Sequence, residues 1–286
     1  MSPTRRALRA LLRHRSGVVG LVIVGVFLLV AAAAPLLAPV DPYLQDPGLK
    51  FAPPLWMAGG HWPHLFGTDI LGRDLAARLV YGARLSLVIG FISVAVGAVI
   101  GIPLGMISGY VGGLADTLIM RAIDLMLAFP SVLLAVCIVA ILGPSLENAM
   151  IAIGIVAIPT YARVVRASVI AEKEREYVQA DVALGRRGHR ILFQAILPNV
   201  LGPLLVTATL NFASAVLEAA GLSFIGLGAQ PPTPEWGALL FEGKAYVFNA
   251  LWLIMFPGIA ILLTVVGINL FGDALRDVLD PKSQRG

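Results

Sequence analysis

Six stretches of the chain carry no Asp, Glu, Lys or Arg: Gly17–Val40, Leu85–Ala115, Leu125–Leu146, Asn148–Ala162, Ile191–Leu217 and Ala245–Gly272. A helix needs roughly 20 consecutive apolar residues to cross the hydrocarbon core of a bilayer, and five of the six runs meet that length. The fourth is short and must either borrow residues past Glu147 or lie where protein surrounds it. The pattern predicts an all-α, polytopic membrane protein with six transmembrane helices, five being the alternative count. Composition agrees: 58% of residues are hydrophobic, 13% are charged and the mean hydropathy is +0.87, which excludes an ordinary soluble globular chain.

Polar and small residues inside these runs say how the helices face one another. Gly97, Gly101, Gly105 and Gly109 recur every fourth residue, so they line one helix edge and predict a close-packed seam. In the fifth run Thr207, Asn211, Ser214 and Glu218 fall within a narrow arc. Facing lipid, they would lack partners, and a mid-helix carboxylate costs about 2.5–3.5 kcal/mol, a penalty softened at Glu218, which is expected toward the outer end of the span. The stripe therefore faces protein or water. Lining a translocation path and making helix-to-helix hydrogen bonds are both compatible with that. Pro103, Pro130, Pro159 and Pro257 mark candidate bends. Arg121 and Asp124, three residues apart, predict a local ion pair. Cys137 has no cysteine partner and reads as a small residue on a packed helix.

Charge sets the expected orientation. With the N-terminus in the cytoplasm and six crossings, 16 of the 21 Lys and Arg residues fall inside and 5 outside, as the positive-inside tendency requires. The boundaries are then a cytoplasmic tail 1–16, a membrane domain 17–272 and a cytoplasmic tail 273–286. External loops span 41–84 and 222–244, and a cytoplasmic loop spans 163–198. The basic bias follows from the anionic inner leaflet and needs no nucleic acid. The first run, at 24 residues, exceeds the roughly 7–15 of a signal-peptide core, which predicts an uncleaved first span.

The central loop is the feature that asks for a partner. Glu172, Glu174 and Glu176 precede Tyr177, Ala180, Ala183 and Leu184 at helical spacing, and Gly185 and Gly188 interrupt the pattern. This predicts two short helices with a turn between, the second running to Pro198. The first presents a narrow apolar face, which suits either a groove on a partner or the lipid surface. No phosphate-binding Gly-Lys-Ser/Thr loop is present, Gly243-Lys244 being the nearest approach. His61 and His64 lack neighbouring carboxylates at metal-ligand spacing. No nucleophile elbow occurs. A catalytic site, a bound cofactor and a metal site are not expected on this chain.

The loop resembles the motif of type I ABC importer permeases: a Glu-Ala-Ala triplet, a glycine six residues after its Glu, and a closing Ile-x-Leu-Pro. Gln179, Ala180 and Asp181 stand at the triplet, Gly185 at the glycine, and Ala195, Leu197 and Pro198 at the close. Gln for Glu, Asp for Ala and Ala for Ile are the departures. GTDILGRDLAARLVYGARLSL (67–87), LSFIGLGAQPPTPEWG (222–237) and NLFGDALRDVLDPK (269–282) are similar to the second permease subunit of dipeptide and oligopeptide importers. The resemblance spans about residues 10–283.

It implies the type I ABC importer permease fold and three kinds of partner besides lipid. These are a homologous permease subunit, two ATP-binding subunits that carry the ATP and Mg, and an extracytoplasmic solute-binding protein. Around Gln179–Arg190 it implies a coupling helix in an ATPase groove, with Tyr177, Gln179, Ala180, Asp181, Leu184, Gly185, Leu197 and Pro198 as its residues. Di- or oligopeptides are the implied cargo, with nickel or glutathione as the alternatives within the family. A stand-alone secondary transporter would call for repeated halves and buried coupling charges, and only Glu218 is a candidate. A membrane-embedded enzyme would call for a nucleophile and base or paired metal ligands.

Overall fold

A computed structural model describes residues 11, 12, 14–38 and 40–279. The tail residues Arg5, Arg6, Arg9, Arg13, Lys282 and Arg285 lie outside this range, as does the end of the 269–282 segment. The principal helices are α1 (Arg15–Ala32), α2 (Leu75–Val111), α3 (Gly113–Leu127), α4 (Ser131–Leu142), α5 (Leu146–Lys173), α6 (Glu176–Ala183), α7 (Gly188–Phe224), α8 (Trp236–Gly243) and α9 (Trp252–Leu279). Among the described residues there is no strand, only an isolated bridge between Thr68 and Asp74.

Five helices (α1, α2, α5, α7 and α9) are long and apolar enough to cross a membrane. A bent pair, α3 and α4, which meet at 91°, is long and apolar enough only when taken together, so the chain has five such spans, or six if that pair is one crossing. The uncharged run Leu125–Leu146 therefore does not form one rod. It breaks at Ala128–Pro130, because proline cannot donate to the preceding turn and disfavours helix in the residue before it. Pro103, Pro159 and Pro257, by contrast, lie inside continuous helices, so of these four prolines only Pro130 stands at a break.

Helices also outrun the uncharged segments. Asp74 caps α2, its carboxylate accepting from Ala77 N at 2.7 Å, so the helix starts ten residues before Leu85. At roughly 1.5 Å per residue α2 is about 55 Å long and extends well beyond the hydrocarbon core. The short fourth run borrows in both directions: α5 begins at Leu146, capped by Ser145, and continues through Arg163 and Arg166 to Lys173. The second half of the 163–198 loop is not a separate short helix, since from Gly188 it is continuous with α7. The last span starts at Trp252, preceded by a single 3-10 turn at Lys244–Tyr246.

The glycine seam on α2 packs against α5. A methyl group on Gly101 would lie 2.6 Å from Tyr161 Cβ, and one on Gly105 would lie 2.5 Å from the carbonyl oxygen of Ala162. Only hydrogen fits there, so the two backbones pack directly. Of its most apolar window, α5 buries 56%, against 17% for α1. The centre of the bundle is thus α2 against α5, with α7 beside them, while α1 leans on α9 and leaves most of its surface to lipid or a partner. Cys137 is exposed on α4 rather than packed.

Candidate functional site

One end of the bundle carries the loop between α5 and α7. The side chain of Val178 on α6 is 1% exposed and joins a core with Val165, Val169, Ile191 and Ile196. Tyr177, Ala180, Ala183 and Leu184 occupy the opposite side of α6 and are all exposed, Leu184 to 84%. The helical spacing read from the sequence is therefore correct, and the anchor it overlooked is Val178. That residue is a lone buried aliphatic one position after Tyr177, visible only once the helix has an inside.

Gly185 ends α6 at φ +74. Gly185 N donates to Val182 O and Arg186 N to Asp181 O, both at 3.0 Å. This is the Schellman pattern, which favours glycine at the left-handed position. A Cβ there would meet nothing within 4 Å, so the requirement is conformational and not steric. Asp181 pairs with Arg186 at 2.5 Å, and Arg186 also donates to Gln194 Oε1 at 2.6 Å. Gln179 Nε2 donates to Glu174 O at 3.2 Å.

Tyr177 ties α6 to both long helices. Its hydroxyl donates to Glu172 Oε1 of α5 at 2.5 Å and accepts from Asn199 Nδ2 of α7 at 3.0 Å. Burial, then the hydrogen bond and charge of Glu172, push the phenol's pKa up, so the neutral donor persists. Asn199 Nδ2 also donates to Ala195 O at 2.8 Å. Residues Ile191–Ile196 form a π-helical stretch, and the α-helix resumes at Leu197 and Pro198. Such wide turns are rare and concentrate at functional sites.

Nearby, Asp124 pairs with Arg163 of α5 at 2.6 Å and not with Arg121 of its own helix. Asp116 accepts from Arg166 Nε at 2.6 Å and Nη2 at 2.7 Å. Partners on a neighbouring helix displace the local pair because α3 lies alongside α5.

A second feature is a cleft between helices that opens to the surface at Ser131, Thr160 and Ser214, all of them exposed. Asn211, Ser214 and Glu218 line a cavity of about 260 Å³ together with Ser93 of α2, Thr160 of α5 and Ser131 beside the α3–α4 bend. Thr207 is not part of this lining, and its hydroxyl donates to Pro203 O at 2.9 Å within its own helix. The polar stripe is therefore three residues on the cavity and one turned to its own backbone. The contributions of Ser93, Thr160 and Ser131 could not be found by periodicity, because each is a single hydroxyl in an otherwise apolar stretch.

The opposite end of the bundle is a cap built from residues 41–74 and 225–251. Asp69 Oδ2 accepts from Arg73 Nε and Arg78 Nη1, both at 2.6 Å. Glu242 Oε2 accepts from Arg73 Nη2 at 2.7 Å and Arg78 Nη1 at 2.6 Å. These two arginines and two carboxylates neutralise one another and join the start of α2 to α8. His64 Nδ1 lies 2.8 Å from Asp74 Oδ2, so the histidine braces the cap of α2. Trp236 Nε1 donates to Leu79 O at 3.0 Å, and Trp252 Nε1 to Thr68 O at 3.2 Å. Glu235 caps α8 by accepting from Gly237 N and Ala238 N, both at 2.9 Å, and its burial pushes its carboxyl above the usual range.

Comparison with known proteins places this architecture. Residues 101–285 match the family described as binding-protein-dependent transport system inner membrane component. Residues 2–54 match the N-terminal TM domain of oligopeptide transport permease C. The chain is 49% identical over 282 residues to the dipeptide transport system permease protein DppC of Alkalihalophilus pseudofirmus, covering 99% of this chain and 91% of that one. It is 48% identical to the di/tripeptide transport system permease protein DppC of Pseudomonas aeruginosa, covering 98% and 93%. The Escherichia coli K12 dipeptide transport system permease protein DppC is 49% identical, with 99% and 94% covered. Among solved structures, the inward-facing MetNI methionine ABC transporter superposes with a TM-score of 0.59 at 22% identity, covering 71% of this chain and 96% of that one, which supports the shared fold. By sequence along nearly its whole length and by the arrangement of its helices, this chain belongs to the family of binding-protein-dependent transport system inner membrane components.

Proposed function

We propose that this chain is a permease subunit of an ATP-driven importer of short peptides, and that α6 is its coupling helix. The observation that carries the reading is the construction of α6. It is a short helix anchored by Val178 and lashed by Tyr177 to both α5 and α7, with an apolar outer face that nothing among the described residues covers. Relatives named as dipeptide and di/tripeptide permeases support peptide as the cargo.

The partners are a homologous permease subunit, two ATP-binding subunits, one of which takes the face of Ala180, Ala183 and Leu184 in its groove, and a solute-binding protein at the cap. ATP and its magnesium bind on the ATPases. Both termini and the α6 loop lie in the cytoplasm, and the cap lies outside. Nucleotide-driven closure of the ATPases displaces α6, and the brace through Tyr177, Glu172 and Asn199 passes that displacement to α5 and α7 together. A two-state motion of this kind requires a stiff connection. The π-helical stretch Ile191–Ile196 sits where α7 receives the force.

The test is copurification with uptake. A tagged chain brings down a second permease and ATPases, and cells carrying it accumulate labelled dipeptide in competition with unlabelled di-, tri- and pentapeptides but not with nickel or glutathione. Solute transport by the purified chain alone refutes the assignment.

A further inference from the structure

The cavity between α2, α5, α7 and the α3–α4 bend has a chemistry that the coupling loop does not explain. Glu218 is the one ionisable side chain in its lining, and among the described residues nothing donates to or pairs with its carboxylate. Ser214 lies one turn before it, and Asn211 beyond. The amide nitrogen of Asn211 donates to Thr207 O at 3.0 Å, and its oxygen is the acceptor that this side chain can offer. Thr160 and Ser131 add hydroxyls from the facing elements. The space is rich in acceptors and holds one carboxyl group without a partner.

A carboxylate at the centre of a membrane helix costs about 2.5–3.5 kcal/mol and less toward the end, where Glu218 stands six residues before α7 closes at Phe224, and a cation entering the cleft would offset that cost. The cavity, at about 260 Å³, is smaller than the roughly 300–1,000 Å³ of sites for drug-sized ligands. It therefore suits one end of a small molecule and not a whole oligopeptide. The geometry points to a station for the α-ammonium group of a peptide in transit, with Glu218 as counter-charge and Asn211, Ser214 and Thr160 as hydrogen-bond acceptors. This inference rests on the reading of the chain as a peptide permease. A zwitterionic peptide must bring its ammonium through a medium of low dielectric, and a fixed carboxylate lowers the cost of that passage. The peptide's own carboxylate is repelled there, so the amino end is the end recognised.

Two measurements on the full-length chain in its complete transporter decide the matter. In membrane vesicles containing equal amounts of protein, Glu218→Gln lowers dipeptide uptake at sub-saturating concentration about tenfold or more, the effect of losing one charge-assisted hydrogen bond, while Glu218→Asp retains most of it. In a Cys137→Ala, Ser214→Cys chain that keeps Glu218, free alanyl-alanine slows labelling by a cationic thiol reagent, whereas N-acetyl-alanyl-alanine and sodium chloride of equal ionic strength do not. The second measurement needs no substitution of the carboxylate, so it decides even where Glu218→Gln fails to reach the membrane. Equal protection by the acetylated peptide or by salt overturns the station, as does unchanged uptake by Glu218→Gln. Absence of dipeptide uptake by the parent refutes the peptide reading and the station together. Normal parent uptake with either negative result refutes the station alone.

Discussion

The two ends of the molecule handle charge in opposite ways. In the cap, Arg73, Arg78 and Asp69 are almost wholly buried and Glu242 nearly so, and each charge meets two of opposite sign. At the α6 loop the pairs are partly open to solvent: Arg186 and Asp181 retain about a third and a quarter of their side-chain exposure, and Arg163 and Asp124 about half. The cap pairs its charges within itself, although Arg78 Nε is buried without an acceptor, whereas the loop leaves an apolar face uncovered. An end that satisfies itself holds the helices together, and an end left unsatisfied is made for something to bind.

Breaking the cap is expected to have the largest effect. Arg78→Ala strands Asp69 and Glu242 as buried carboxylates short of a partner, and removal of one member of a buried network costs about 3–5 kcal/mol. Thermal unfolding of the purified protein should fall steeply, with Arg78→Lys intermediate because one point charge cannot span both carboxylates and Pro232 O. A shift as small as that of a surface substitution would show that the network is not what closes the cap.

Gly185→Val comes next. A β-branched residue at φ +74 is strained by about 1–3 kcal/mol, confined to the end of α6. Membrane insertion and cap stability should stay normal while ATPase recovery and uptake fall together. Gly185→Asn, which tolerates the left-handed region, should recover part of both. Uptake unchanged in the valine variant would remove α6 from the transmission path.

The pH dependence sharpens the same contrast at smaller amplitude. Burial raises the Glu235 carboxyl above its unfolded value. Between the unfolded and the raised value the folded chain holds the proton more tightly, so stability declines as pH rises through that window and levels off above it. Glu235→Gln should flatten this slope in a pH series of unfolding temperatures. A slope that survives the substitution assigns the titration elsewhere. The smallest effect on stability is expected at Leu184. Leu184→Ala, at an exposed position, should change unfolding by less than about 0.5 kcal/mol and yet reduce ATPase copurification. A large loss of stability would mean that the face already has a partner within the chain.

Much of this was legible in the chain itself. The uncharged runs mark the long helices, since a bilayer leaves no other way to satisfy the backbone. The four-residue glycine spacing of α2 identifies its contact edge, and the spacing of Tyr177, Ala180, Ala183 and Leu184 identifies the outer face of α6. Charged residues were less informative about helix limits than they first look. Arg163 and Arg166 continue α5 because Asp124 and Asp116 neutralise them from the side, so a charge there does not end the helix. The pairing of Asp124 with Arg163 in place of Arg121 has the same origin, a neighbour brought close by packing.

What the sequence determines by itself is local and periodic: which segments are apolar enough to lie in lipid, which edge of a helix is thin, and where a left-handed glycine must end a turn. Tertiary structure decided what distance along the chain conceals. It folded the third apolar run at Pro130, set Arg78 between carboxylates from two different loops, and turned Thr207 back on its own helix while gathering Asn211, Ser214 and Glu218 around one cavity. The reason is physical. Hydrophobic burial and backbone hydrogen bonding act on every residue in its own segment, whereas ion pairs and cavities exist only once separate segments share a place.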